Sequence, residues 1–169
     1  MEKRAWHPAY CSATEYDLRK YKEHLTFIRE YQLSKEPLHM DMLIIKKEKN
    51  IQIDNDIGRI FKEHNIIEYK SPYDHLNIDT FYKLLAYGCL YKATSSKVNE
   101  IDSNEITLSI IRDEYPRKLI SELKRQNAKI EKKLDGIYYV SGKYPFSIQL
   151  IVLNQIGPDN KGLRALLEK

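Results

Sequence analysis

Apolar and polar positions alternate along this chain in short blocks whose period changes from one block to the next. Between Pro8 and Tyr21, residues Tyr10, Ala13, Tyr16, Asp17 and Lys20 recur at intervals of three and four, the spacing of a helix. Leu25 to Leu33 sets Leu25, Phe27, Arg29 and Tyr31 against Thr26, Ile28, Glu30 and Gln32, predicting a half-exposed strand, and Ser34-Lys35-Glu36-Pro37 predicts a turn. Leu38 to Lys46 is apolar on both faces apart from His39 and Asp41, as expected of a central strand covered on both sides. Lys46 to His64 is polar, with Ile51, Ile53, Ile57, Ile60 and Phe61 interspersed and Asn55-Asp56 and Gly58 as breakers, predicting a connection with a short turn of helix.

A short strand follows in Asn65-Ile66-Ile67-Glu68-Tyr69-Lys70-Ser71-Pro72. Ile78 to Lys92 gives the clearest helix, capped by Asn77 or Asp79, with Ile78, Phe81, Tyr82, Leu85, Gly88 and Cys89 on one stripe and Leu84, Tyr87 and Tyr91 on its flank. Ile106 to Ile111 predicts a strand, Pro116 to about Arg125 a helix, and Ile130–Leu134, Ile137–Val140 and Phe146–Leu153 three more strands, the first two turning at Asp135-Gly136. Leu163, Leu166 and Leu167 begin a helix with no stop signal, expected of a chain truncated at its C-terminus or cut from a longer polypeptide.

Two features of this pattern carry chemistry. Glu68 and Lys70 stand two residues apart in an apolar strand, so their side chains share a face, and Pro72 puts them at its C-terminal end, near a sheet edge or mouth. Acid-x-Lys occurs four times, but Glu122/Lys124, Glu131/Lys133 and Asp159/Lys161 lie in polar, lysine-rich stretches that read as solvated surface. Asp41 is an acid inside an apolar strand, where an unpaired charge would cost several kcal/mol and so needs a cation, a donor or a metal.

Composition changes this picture little. The 169 residues suffice for one domain, 1–169, with a real core, and 42% hydrophobic with 31% charged residues is the make-up of a globular chain. With 28 basic and 24 acidic residues the formal net charge of +4 permits a polyanionic partner without requiring one. Thirteen tyrosines could stack on bases, but they accompany abundant Ile, Lys and Asn, as AT-rich codon usage would give. Cys11 and Cys89 form no Cys-x-x-Cys, and Cys89 is expected in the core. His39, His64 and His75 have no zinc-ligand spacing. The opening residues lack a signal-peptide pattern and no apolar run approaches about 18 residues, so a cytoplasmic protein without a membrane segment is expected.

The order of helix, outer strand, strand with Asp41, strand with Glu68 and Lys70, large helix and further strand resembles the PD-(D/E)XK nuclease superfamily. The closer likeness, over nearly the whole chain, is to bacterial proteins grouped as recombination-promoting nucleases and transposase-like proteins. It rests on Leu38 to Lys47, Ile57-Gly58-Arg59-Ile60-Phe61, Ile66 to Pro72 and Phe81 to Tyr87. The resemblance implies an α/β fold of the restriction-endonuclease-like type, a mixed central sheet flanked by helices. It implies a Mg²⁺-dependent DNA endonuclease, Mn²⁺ being a substitute, with Asp41, Glu68 and the Tyr69 carbonyl as metal ligands. Lys70 would act on the attacking water, and Glu15 would be a helix acid touching the metal directly or through water. DNA is the implied partner, and a homodimer is expected because cutting both strands calls for two sites. The superfamily's proline before the aspartate is absent, since His39-Met40 precedes Asp41, and Asp79-x-x-x-Lys83 replaces the glutamine-x-x-x-tyrosine of some members.

Plainer readings stand beside these. Glu68 and Lys70 could be an ordinary ion pair, and Asp41 could be satisfied by His39 or by Arg29. Glu15 could face solvent, and Asp17 or Glu23 could be the helix acid instead. Lys46, Lys47, Lys49, Arg59, Lys62, Lys124 and Arg125 could grip phosphates or simply be solvated. The alternative to an enzyme is a catalytically inactive module of the same fold that binds nucleic acid or a protein.

Overall fold

A computed structural model of the chain describes residues 6–31 and 39–167. Its helices are α1 (Trp6–Asp17), α2 (Ile78–Ala93), α3 (Arg117–Arg125) and α4 (Lys161–Arg164). Its strands are β1 (Leu25–Arg29), β2 (Met42–Lys46), β3 (His64–Lys70), β4 (Ile106–Arg112), β5 (Lys129–Leu134), β6 (Ile137–Ser141) and β7 (Ser147–Val152). The strands join in one seven-stranded mixed sheet of order β1-β2-β3-β4-β7-β6-β5. β1, β2 and β3 form an antiparallel meander, β3, β4 and β7 run parallel, and β7, β6 and β5 are again antiparallel. This is the coarser part of the fold that the resemblance implies, an α/β architecture with a mixed sheet flanked by helices. The predicted turn at Ser34–Pro37 lies outside the described residues, as do Leu33 and Leu38 at the ends of their predicted strands.

The parallel trio explains the strong apolar runs. Strands covered by helices on both faces must be apolar on both, and the five inner residues of β3 are all buried, as are the first six of β4. One face packs Leu43, Ile66, Leu108, Ile110, Ile148 and Leu150 beneath α2 and α3; the other packs Met42, Ile44, Ile67, Ile111 and Ile151 beneath α1, α4 and the connection that precedes β3. β3 is therefore an interior strand. Its charged end lies at a mouth of the sheet and not at an edge.

That connection carries the expected single helical turn, Gly58–Ile60, and buries Ile53, Ile57 and Phe61. Its backbone polar groups meet side chains that β3, β4 and β7 raise on the same face. The Asn65 amide donates to the Lys62 carbonyl (2.9 Å) and accepts from the Lys62 N–H (2.9 Å), the Thr107 hydroxyl donates to the Ile60 carbonyl (3.2 Å), and the Gln149 amide donates to the Ile57 carbonyl (2.9 Å). A loop laid across a core is tolerated only where such partners exist.

α2 begins where predicted, with the Asn77 side chain accepting from the Thr80 N–H at 3.0 Å. Its buried face is Phe81, Leu84, Tyr87, Gly88 and Tyr91, so the apolar stripe is rotated from the predicted one: Tyr82 and Cys89 are exposed, and Cys89 is not a core residue. Gly88 fixes the phase. A Cβ there would stand 2.8 Å from the Phe146 ring, and only glycine admits that approach.

The β5–β6 hairpin turns at Asp135-Gly136 as the sequence predicts. Gly136 takes φ 71° and lies against the backbone of Ile156, where a Cβ would come within 2.6 Å of the amide nitrogen. Gly136→Ala meets both a left-handed conformation and an immovable neighbour, so it should destabilise the fold by about 1–3 kcal/mol, read as a thermal midpoint lowered by several degrees. An unchanged midpoint would contradict this packing.

Candidate functional site

Asp41 does not lie in mid-strand. It occupies a bend immediately before β2, between Met40, whose side chain joins the α2-side core, and Met42, which joins the α1-side core. The antiparallel register puts Met42 beside Ile67, so Asp41, one residue earlier, comes beside Glu68 where the β2–β3 ladder ends. Its carboxylate closes the gap: Oδ2 accepts the Tyr69 N–H at 2.7 Å. Oδ1 pairs with His7 Nδ1, also at 2.7 Å. Neither His39 nor Arg29 satisfies it. Arg29 is committed to Glu15, and His39 Nδ1 approaches the Glu30 carbonyl.

α1 delivers these partners through helical spacing. His7, Cys11 and Glu15 recur every fourth residue on one face. His7 meets the Asp41 carboxylate, the Cys11 thiol reaches the Asp41 carbonyl at 3.5 Å, and Glu15 receives Arg29 of β1 in a two-pronged pair at 2.8 and 2.7 Å. Both Glu15 oxygens are thus held by a guanidinium. Asp17 is a different case: it accepts the Leu163 N–H at 2.9 Å and the Gly162 N–H, tying α4 to α1. Glu23 is exposed beyond the end of the helix.

Glu68 and Lys70 project from β3 on the α2 side, and Lys70 Nζ donates to Glu68 Oε1 at 2.6 Å. Their side chains are only 8% and 16% exposed, respectively, so this is a buried pair and not a solvated surface one. The second oxygen, Glu68 Oε2, is buried and has no hydrogen-bond partner among the described residues. Burial pushes the Glu68 carboxyl up, the neighbouring Asp41 charge pushes it further, and Lys70 only partly offsets them. Burial works against the Lys70 ammonium, but the Glu68 carboxylate outweighs it and holds the amine charged.

Asp41, held by the Tyr69 N–H, is therefore within electrostatic reach of Glu68 and Lys70, while Glu15 is kept on Arg29. His7 is the member that sequence reasoning missed; its one signal was the four-residue step to Cys11 and Glu15. Among the described residues there is no group of three or more His, Cys, Asp and Glu side chains that could hold a metal ion.

Immediately past the ends of β3, β4 and β7 the sheet opens into a cleft of about 700 Å³. The Pro72–Asn77 loop, the Glu114–Lys118 segment with Arg112, and Asn154 with Gln155 form its walls. Arg112, which lines the cleft, is the register partner of Lys70.

No family model, curated protein or solved structure matches the chain. No helix among the described residues is long and apolar enough to cross a membrane.

The raised Glu68 carboxyl has a consequence for stability. A carboxyl whose folded pKa lies above its ordinary 4.5 contributes stability below that value and loses it as pH rises through the folded one. Relative to Glu68→Gln, the wild type should lose stability as pH climbs above 4.5, by at most about 1.4 kcal/mol per pH unit, or about 3–5 °C in thermal midpoint. Parallel pH profiles for the two proteins would refute the assignment.

Proposed function

We propose that this protein is a Mg²⁺-dependent phosphodiester hydrolase, a DNA endonuclease of the restriction-endonuclease-like type. The observation that carries the reading is the buried Glu68, held by Lys70 on one oxygen, orphaned on the other among the described residues, and within electrostatic reach of the Asp41 carboxylate that precedes β2. Beneath it stands the order of elements. α1, the β1–β2–β3 meander, the α2 crossover and parallel β4 follow the succession of the PD-(D/E)XK superfamily that the sequence resembles, with Asp41 entering β2 and Glu68-x-Lys70 closing β3.

The residues present fit a hard divalent cation. Mg²⁺ takes oxygen donors, keeps several waters, and commonly uses only one or two carboxylates from the protein, so two acids suffice. Among the described residues Glu68 Oε2 is a buried acceptor without a donor, and each Asp41 oxygen accepts one hydrogen bond there and has a further lone pair. Asp41 and Glu68 would hold the ion, with the Tyr69 carbonyl as a third ligand. Bound there, the cation would neutralise charge developing on the phosphate and lower the pKa of a water.

The protein's own groups divide the remaining work. Lys70, kept charged by Glu68, supplies a fixed positive charge for the pentacovalent phosphate and orients the water nucleophile. The Tyr69 N–H and His7 anchor Asp41 from two directions, so its carboxylate is positioned before substrate arrives. Glu15 acts at a distance by fixing Arg29, which faces Met42 in the register and so stiffens the start of β2.

The reading is tested on supercoiled plasmid with Mg²⁺ or Mn²⁺. Wild type should nick or linearise it, and Asp41→Asn should lower the rate by at least about a hundredfold, the scale lost with one electrostatic contact to a transition state. Lys70→Met strands a buried carboxylate, so Glu68→Gln/Lys70→Met, which leaves the pair neutral, serves as the folded control and should be equally inactive. Metal-independent cleavage, or cleavage surviving these changes, would overturn the proposal. Circular dichroism matching the wild type would show that the variants are folded.

A further inference from the structure

The cleft beyond Lys70 has a composition that bears on the substrate and rests on the reading just given. Tyr73, on its rim, is 86% exposed, far more than a tyrosine ring needs to be in a loop flanked by a buried leucine, Leu76. Arg117 and Lys118 stand on the facing wall, and among the described residues neither takes part in an ion pair. Arg112 reaches across the floor and donates to the Asp74 carbonyl at 2.9 Å, which leaves its charge uncancelled by that contact. The cleft therefore combines a bare aromatic face with three cations, one of them, Arg112, the register partner of Lys70.

The chemistry that uses both is a nucleic-acid strand with its bases unstacked. Cations follow the phosphates of any nucleic acid, but a ring offered edge-free to solvent gains from a base only if that base has left its own stack. Inside a duplex the base faces are already covered by their neighbours. A cleft of about 700 Å³ also suits a few nucleotides of one strand better than the full width of a double helix. Asp74 and Glu114 lie in the same walls, and Asp74 is within electrostatic reach of Lys70, which keeps the groove from being a uniform phosphate trap.

We propose that the cleft bounded by Tyr73, Arg112, Arg117 and Lys118 binds single-stranded DNA, with a base stacked on Tyr73 and the backbone led toward Lys70. The preferred substrate is then an unpaired segment such as a single-stranded tail, flap or loop. Tyr73 is a binding residue for specificity; it takes no part in bond breaking.

The proposal is tested by fluorescence anisotropy of the full chain in EDTA, where no metal-dependent cleavage can occur, with a labelled oligothymidylate and a labelled duplex of equal length. The single strand should bind at least tenfold tighter than the duplex. Tyr73→Ala should weaken it about tenfold, Tyr73→Trp should restore it, and Arg117→Ala with Lys118→Ala should flatten the dependence on salt. Because Tyr73 is exposed, its replacement should leave the thermal midpoint unchanged, and this is checked alongside. Equal or tighter binding of the duplex, no binding of either probe, or an affinity indifferent to Tyr73→Ala would overturn the inference. Binding here is read without metal and nicking is read on plasmid, so failure of one is distinguishable from failure of the other.

Discussion

A carboxylate kept inside a strand that is covered on both faces is among the costlier features a small α/β protein can carry, and the surroundings of Glu68 are arranged around that cost. Lys70 returns part of the lost solvation through a short charged hydrogen bond, but its amine is itself largely buried, and Asp41 adds a second negative charge nearby. Replacing the pair with apolar residues of similar size would be at least as stable by the usual balance of desolvation against attraction. The arrangement therefore contributes little to folding that an apolar pair could not. It supplies a strong, positioned acceptor at the mouth of the sheet.

The remainder of the architecture holds that acceptor in place. The parallel β3–β4–β7 trio fixes the height at which Glu68 and Lys70 emerge, since Glu68 pairs with Ile110 and Lys70 with Arg112 in continuous register. α2 and α3 seal one face. On the other, α1 presents His7, Cys11 and Glu15 to β2 and its neighbour, and the polar side chains Asn65, Thr107 and Gln149 anchor the long connection to β3. α4 is clamped to α1 through Asp17, so an acid two residues from Glu15 has a purely architectural task.

Much of the fold was legible because its signals are local. Period changes located all seven strands, Pro116 marked the start of α3, Asn77 the cap of α2, and Asp135-Gly136 the hairpin. The phase of α2 was not legible, because a helix with so many tyrosines offers several apolar stripes and the deciding contact, Phe146 on Gly88, comes from the residue just before β7, 58 positions away. The insertion of β7 between β4 and β6 is likewise a long-range choice. For the site, the pairing of Glu68 with Lys70 followed from the two-residue repeat of a strand, and the isolation of Asp41 in an apolar run marked it as needing a partner. That the partner would be His7 could not be read, since 34 residues and a helix orientation lie between them. Nor could the cleft, whose three walls come from segments far apart in the chain.

The most direct measurement is calorimetric titration of the metal-free protein with Mn²⁺. Occupancy of one ion per chain, abolished or weakened at least tenfold by Asp41→Asn and by Glu68→Gln and unaffected by Cys89→Ser at the exposed face of α2, is the predicted result. Absence of binding, or binding indifferent to both acids, would contradict the assignment of Asp41 and Glu68 as partners of a divalent cation.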